Sequence, residues 1–277
     1  MLAAAVLGPP ASGVTVTGDS GRIDVAPQYL IDLGLPIYCG GGTGPYVALT
    51  FDDGPGAQTQ ELLDVLDRYG ARGTFFLRGD NVERYPELAL AETHSGLVAD
   101  HSWDHPYLPN LTVDGVRSQV DRTRTQIIGA TGQPVDFFRP PFGAHDGSVD
   151  PVLHERGMLD ILWNVDSGDG SEAATPDWRV IVDHLSQRVK AGAIILLHEN
   201  ITGSPDAKAL EVFLPELLRR GYIPVTVPEL LALDPPDPVQ IAKGRGGCHA
   251  FWHPPGPPLD SFAGRFETRA RWPGFRP

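Results

Sequence analysis

Two adjacent carboxylates, Asp52 and Asp53, close the apolar stretch YVALTFDDGP at residues 46–55. Val47, Leu49 and Phe51 alternate with Ala48 and Thr50, which predicts a buried strand that stops at Gly54-Pro55. Neighbouring side chains on an extended chain point opposite ways, so one carboxylate can face a metal while the other faces a water beside a substrate. The other groups able to do chemistry also follow short apolar stretches. His101 and His105 stand in HSWDHP, Arg139 follows Phe137-Phe138, Asp166 and Asp169 follow LDILWNV, and His198 follows AIILL.

Spaced four apart, His101 and His105 would share one face of a helical turn and could hold one metal. An aspartate from another strand makes a His-His-Asp set, which leaves a coordination position open for water, as in a catalytic site. Such a mixed nitrogen and oxygen set suits Zn²⁺ best, with Co²⁺, Fe²⁺ or Mn²⁺ able to substitute. A metal acidifies water and polarises a carbonyl, and hydrolysis then needs a base and an acid. Asp52 is placed to be the base, beside the metal ligand Asp53, and His198 to be the acid. Arg139 precedes two prolines that stiffen its backbone, and its guanidinium could grip Asp52. Asp166 and Asp169 could orient His198 or Arg139. His94, His145, His154, His184, His249 and His253 have no such company and read as surface or structural residues.

The elements that must position these groups alternate. Helices are expected at 59–69, 85–93, 112–129 with Thr112 as N-cap, 149–156, 177–190 and 207–220, with a last helical turn at 228–233. Strands are expected at 74–77, 96–99, 137–138, 159–165, 193–197 and 222–227. Strand–helix alternation argues for a parallel sheet covered by helices, open or closed as a barrel, whose active site assembles at the carboxyl ends of the strands. Residues 1–45 read as an N-terminal extension, 46–233 as the catalytic domain and 234–277 as a Pro/Gly-rich C-terminal arm, too rich in Pro and Gly for helix or central strand.

The 277 residues, 41% hydrophobic, suffice for one large α/β domain, and the formal net charge of -13 disfavours nucleic acid and anionic membranes as partners. No apolar run reaches the roughly 18 residues needed to span a bilayer. MLAAAVLGPPASG at the start is similar to the end of a secretion segment without its positive region. Cys39 and Cys248 are the two cysteines, and a bridge between them would tie the extension to the arm in a secreted protein.

TFDDG at 50–54, HSWDHP at 101–106, RPPFG at 139–143, DSGD at 166–169 and LLH at 196–198 occur in one order. Together they resemble the five motifs of the polysaccharide deacetylases, the NodB-homology domain of carbohydrate esterase family 4, over about residues 46–233. The resemblance implies a distorted (β/α) barrel with parallel strands. It also implies metal-dependent removal of acetyl groups from N-acetylglucosamine polymers, chitin oligomers or peptidoglycan, or from acetylxylan. By position, Asp53, His101 and His105 would bind the metal, Asp52 would be the base and His198 the acid. Arg139 would hold Asp52, Asp169 would tune His198, the backbone N–H of Phe142 would help stabilise an oxyanion, and Leu196 would line the pocket for the acetyl methyl. The expected partner is an acetylated polysaccharide and the expected state a secreted monomer.

Three positions depart from the family pattern. Gly170 stands where the family usually has Trp, a place Trp178 could fill, Phe142 stands where Tyr is common, and Gly96-Leu97 replaces a polar pair. None removes a catalytic group, so an active hydrolase is the leading reading. The alternative is a carbohydrate-binding pseudoenzyme that keeps the metal site without turnover.

Overall fold

The computed structural model describes residues 28–170, 177–199 and 205–253. The apolar start of the chain lies outside the described residues. In chain order the elements are α1 (Gln28–Leu33), β1 (Tyr46–Gly54), α2 (Thr59–Tyr69), β2 (Gly73–Leu77), α3 (Gly79–Arg84), α4 (Pro86–Ser95), β3 (Gly96–Asp100) and α5 (Val113–Thr131). They continue with β4 (Phe137–Phe138), α6 (Asp150–Glu155), β5 (Leu159–Asp160), β6 (Val165–Asp166), α7 (Trp178–Arg188), β7 (Ile194–His198), α8 (Pro205–Arg219), β8 (Ile223–Val225), α9 (Val227–Leu233) and α10 (Pro238–Ala242).

The strands form one curled parallel sheet in the order β5-β4-β3-β2-β1-β7-β6, and β8 pairs with the start of β1. This is the distorted (β/α) barrel, open on one side. The segment at 37–39 spans part of the opening. Ile37 bridges to Ile161 beyond β5, and Cys39 bridges to Ala193 before β7. Cys39 is disulfide-bonded to Cys248, so the arm is fastened to the same segment.

Strand alternation sorts the sheet into two cores. Val47, Leu49, Phe51, Phe75, Leu77, Val98, Ile195 and Leu197 face the helices. Ala48, Phe76, Leu97, Ala99, Phe137 and Ile194 face the inside of the curl. Period two then dictates where the next residues go. Thr50 and Asp52 continue the inner row of Ala48, His101 that of Ala99, Arg139 that of Phe137, and Leu196 and His198 that of Ile194. The inner rows are apolar along the strands and turn polar at their carboxyl ends.

Three expectations are corrected. The stretch 159–165 is two short strands, because the carbonyls of Ile161 and Leu162 turn toward Arg139 and the Leu162 N–H donates to Ile37. An additional short helix, α3, follows β2. The arm does contain helix, α10, despite its prolines. Asp237 caps it in a reciprocal box with Gln240, and Pro238 occupies the first turn, where no intrahelical N–H is needed. Trp252 of the arm packs edge-on against Tyr222, with ring centroids 5.1 Å apart. No described helix is long and apolar enough to cross a membrane.

Candidate active site

Asp52 ends the inner row of β1 and is buried. Its Oδ1 accepts from Arg139 Nη1 at 2.7 Å. Arg139 is itself fully buried, and Phe76 lies under its guanidinium at 4.1 Å from the ring centroid. Three more of its N–H groups donate to Thr50 Oγ1 at 2.8 Å, the Ile161 carbonyl at 2.9 Å and the Leu162 carbonyl at 3.3 Å. The guanidinium is thereby fixed by four acceptors and aims one N–H at Asp52. Burial pushes the Asp52 carboxyl up, and the Arg139 charge and hydrogen bond pull it back.

Asp53 reaches the site by a different route. Strict alternation would turn it toward the helices, but the pairing of β1 with β2 slips between Asp52 and Gly54, and Asp53 has φ 73°. A left-handed residue in a bulge re-aims its side chain. The Asp53 carbonyl is held by Asn81 Nδ2 at 2.8 Å.

His101 and His105 meet, but not on a helical turn. The segment between them is an irregular loop in which Ser102 has φ 68° and His105 φ 61°. Asp100 Oδ1 accepts from the Ser102 N–H at 2.8 Å, and Ser102 Oγ accepts from the His105 N–H at 3.2 Å. The four-residue spacing is thus closed by side-chain-to-backbone bonds rather than by helix periodicity. The two imidazoles lie 5.0 Å apart, and Phe142 packs its ring on His105 at 4.5 Å. Phe142 has φ 62° and is 61% exposed, at the rim.

Asp53, His101 and His105 each bring one ligand atom within 4.8 Å of the others. His105 Nε2 is 3.6 Å and His101 Nε2 3.9 Å from Asp53 Oδ1. That oxygen is buried without a hydrogen-bond partner, as expected of an atom that ligates a cation. His101 Nδ1 donates to the Arg139 carbonyl at 2.7 Å, which fixes the tautomer and leaves the Nε2 lone pair free. Burial lowers the His101 pKa to about 3, outweighing the Asp53 charge, so this imidazole is a neutral ligand at ordinary pH. The donor set therefore fits a divalent cation.

His198 faces Asp52 across the pairing of β1 with β7. Asp169 holds it twice, accepting at Oδ1 from Nδ1 at 2.8 Å and at Oδ2 from its backbone N–H at 2.7 Å. Burial alone would lower the His198 pKa, but the Asp169 hydrogen bond and charge, then Asp52 and Asp53, raise it to about 9. Asp166, by contrast, is exposed and accepts from the Gly168 N–H, so it orients neither His198 nor Arg139 through its carboxylate. Leu196 is buried on the inner face beside Thr50. Trp178 begins α7 and packs partly buried against the helix-side core.

Several contributors were not legible in the sequence. Asp206, at the start of α8, is pushed up by burial and then by its hydrogen bond to Asp169, so it stays protonated and donates to that carboxylate. Glu199 and Glu92 are a buried carboxyl pair, both pushed up by burial. Glu199 fills the space where Gly54 would otherwise carry a Cβ, at 1.1 Å from its Oε1. The signal for Thr50 was present, two residues before Asp52 on the same face. Asp206 and Glu92 look like ordinary helix-surface acids until the fold buries them. His145 also has company, from Asp150 and Asp160.

Residues 40–160 match the family model described as polysaccharide deacetylase. A peptidoglycan-N-acetylglucosamine deacetylase of Listeria monocytogenes is 34% identical over 208 residues, which cover 73% of this chain and 41% of that protein. A protein of the same description from Bacillus cereus is 35% identical over 190 residues, covering 67% of this chain and 87% of the relative. The chain thus spans well under half the length of the Listeria protein. Among solved structures, a CE4 family pseudoenzyme from Bacillus anthracis is 30% identical with a TM-score of 0.65, covering 71% of this chain and 68% of that one.

Proposed function

Because the chain belongs to the polysaccharide deacetylases of carbohydrate esterase family 4, we propose that it is an active metal-dependent hydrolase that removes acetyl groups from an N-acetylglucosamine polymer, with peptidoglycan as the first candidate. The observation that carries this reading is the pairing of a supported carboxylate and a supported imidazole with two different tasks. Asp52 is held by Arg139 at 2.7 Å and His198 by Asp169 at 2.8 Å, with the Asp53, His101 and His105 set beside them. Binding alone needs neither the base nor the acid.

Asp53, His101 and His105 would hold the cation, Zn²⁺ by preference, with Co²⁺, Fe²⁺ or Mn²⁺ as substitutes. When bound it supplies Lewis acidity, polarising the acetyl carbonyl and acidifying water. Asp52 accepts the proton of the attacking water, and Arg139 aims that carboxylate and opposes the upward push of burial on it. His198, charged through Asp169, donates its proton to the leaving nitrogen or oxygen of the sugar. The Phe142 N–H is a donor for the developing oxyanion, and Leu196 contacts the acetyl methyl. The disulfide supports an oxidising, secreted setting, and the charge of -13 a partner other than nucleic acid. The chain is proposed to act as a monomer.

The second reading, a carbohydrate-binding pseudoenzyme, is favoured by the Bacillus anthracis neighbour described as one. Acetate release measured on peptidoglycan, chitin oligomers and acetylxylan separates the two. Release from at least one, lost in Asp52→Asn, supports the hydrolase. Binding without release from any, by zinc-loaded protein, supports the pseudoenzyme.

A further inference from the structure

Outside the active site, His145, Asp150 and Asp160 each bring one ligating atom to within 4.8 Å of the others. They come from the loop after Phe142, from the first residue of α6 and from the end of β5. His145 Nδ1 faces Asp150, 3.2 and 3.3 Å from its two oxygens. The opposite nitrogen, Nε2, meets the Tyr38 hydroxyl at 3.4 Å.

Asp160 is the anomaly in this cluster. It is 7% exposed, and neither carboxylate oxygen has a hydrogen-bond partner. A buried ionised carboxylate without a partner is costly enough that it neutralises or acquires a counter-charge. The nearby Arg139 guanidinium makes no hydrogen bond to it, its bonds going to Asp52, Thr50 and two carbonyls, so it offers Asp160 charge at a distance but no contact. The two unpartnered oxygens leave a place beside Asp160 for a cation. A cavity lined by Asp150, Asp160, His154, Gly34 and Leu35 lies alongside.

The geometry points to a second divalent-cation site, built from His145 Nδ1, Asp150 and Asp160, with the Tyr38 hydroxyl orienting the imidazole through Nε2. One imidazole and two carboxylates form a mixed nitrogen and oxygen set suited to Zn²⁺ or Mn²⁺, and a partner on the far ring nitrogen is the usual support of a ligating histidine. A cation here fastens the loop after Phe142 to α6 and β5. The residues just past β5, Ile161 and Leu162, supply the carbonyls that hold Arg139, so the site braces one wall of the active centre. It does not depend on the proposed reaction.

The test is a count of bound ions. Untagged protein stripped by chelator is titrated with Zn²⁺ in a calorimeter. The parent is expected to take up two equivalents, Asp160→Asn one and Asp53→Asn one, with the double variant binding none. His145→Ala, which removes a partly exposed ligand rather than a buried one, repeats the loss without perturbing β5. Circular dichroism checks that each variant is folded. A parent that binds one equivalent, abolished by Asp53→Asn, overturns the second site, as do Asp160→Asn and His145→Ala proteins that both keep two. If Asp53→Asn keeps two while Asp160→Asn drops to one, the second site stands and the assignment of the first fails.

Discussion

Asp52 and His198 are directly opposed on neighbouring parallel strands, Cα partner to Cα partner, at the carboxyl ends of β1 and β7. Both end inner rows, so both side chains enter one space, and each is anchored from behind by a group of opposite charge. A base and an acid held apart in environments that move their pKa values in useful directions are what hydrolysis of an amide requires.

Asp52→Asn removes the base while keeping the volume and one acceptor for Arg139. Acetate release should fall by about 10²- to 10⁴-fold, the range of general-base contributions. Zinc binding at Asp53, His101 and His105 should persist. A variant as active as the parent would refute the assignment of Asp52 as base.

Arg139 is a buried cation whose counter-ion is also buried. Arg139→Met leaves Asp52 without its partner, so urea denaturation should show a loss of roughly 3–5 kcal/mol. The double variant with Asp52→Asn, which removes both charges, should recover part of that loss. If the double variant were no better than Arg139→Met, the coupling would not be electrostatic.

The raised pKa of His198 fixes the direction of a pH effect. As the acid it must be protonated, so activity should fall as pH rises through about 9. Asp169→Asn removes the largest raising contribution and should move this limb down, toward the ordinary histidine value. A cation at Asp53 offsets the Asp53 contribution in parent and variant alike, so the sign of the difference stands. The folded pKa lies above the ordinary histidine value of 6.5, so this pair's contribution to stability is full below that value and is lost as pH rises toward 9. Rate profiles of the two proteins with the limb at the same pH would contradict the Asp169 assignment.

The strands and the groups that follow them were legible because both obey local rules. Apolar runs gave β1, β2, β3 and β7, and period two placed Asp52, His101 and His198 together once those strands paired in parallel. Asp53 and His105 were legible as residue types only, since positive φ and a slipped register bring them to the site. The helix expected through His101–His105 failed because Asp100 and Ser102 offer that backbone other hydrogen bonds. Glu92, Glu199 and Asp206 escaped notice because their burial comes from distant elements, and no short window of sequence reports it.

Chelation should abolish acetate release, and added Zn²⁺ or Co²⁺ should restore it. His101→Ala, which deletes a buried ligand, should not be restored by the same addition. Turnover by metal-free protein at the parent rate would exclude a metal mechanism.

Gly170 is the departure with the sharpest consequence. A Cβ built on it would sit 2.6 Å from His198 Cε1 and 3.1 Å from each ring nitrogen. The backbone there approaches the imidazole so closely that the tryptophan usual in the family cannot be added without moving one of them. His198 in turn cannot move without breaking its 2.8 Å bond to Asp169. Gly170→Ala should therefore displace the acid and lower kcat, with an ångström-scale misplacement costing on the order of 10²-fold. Metal binding, which involves neither residue, should be unchanged. The alkaline limb of the rate profile should move down with the loss of the Asp169 contact, which a simple folding defect would not produce. An alanine variant with parental kcat would show that the 169–170 loop yields instead, and that His198 is not packed against it in the working enzyme.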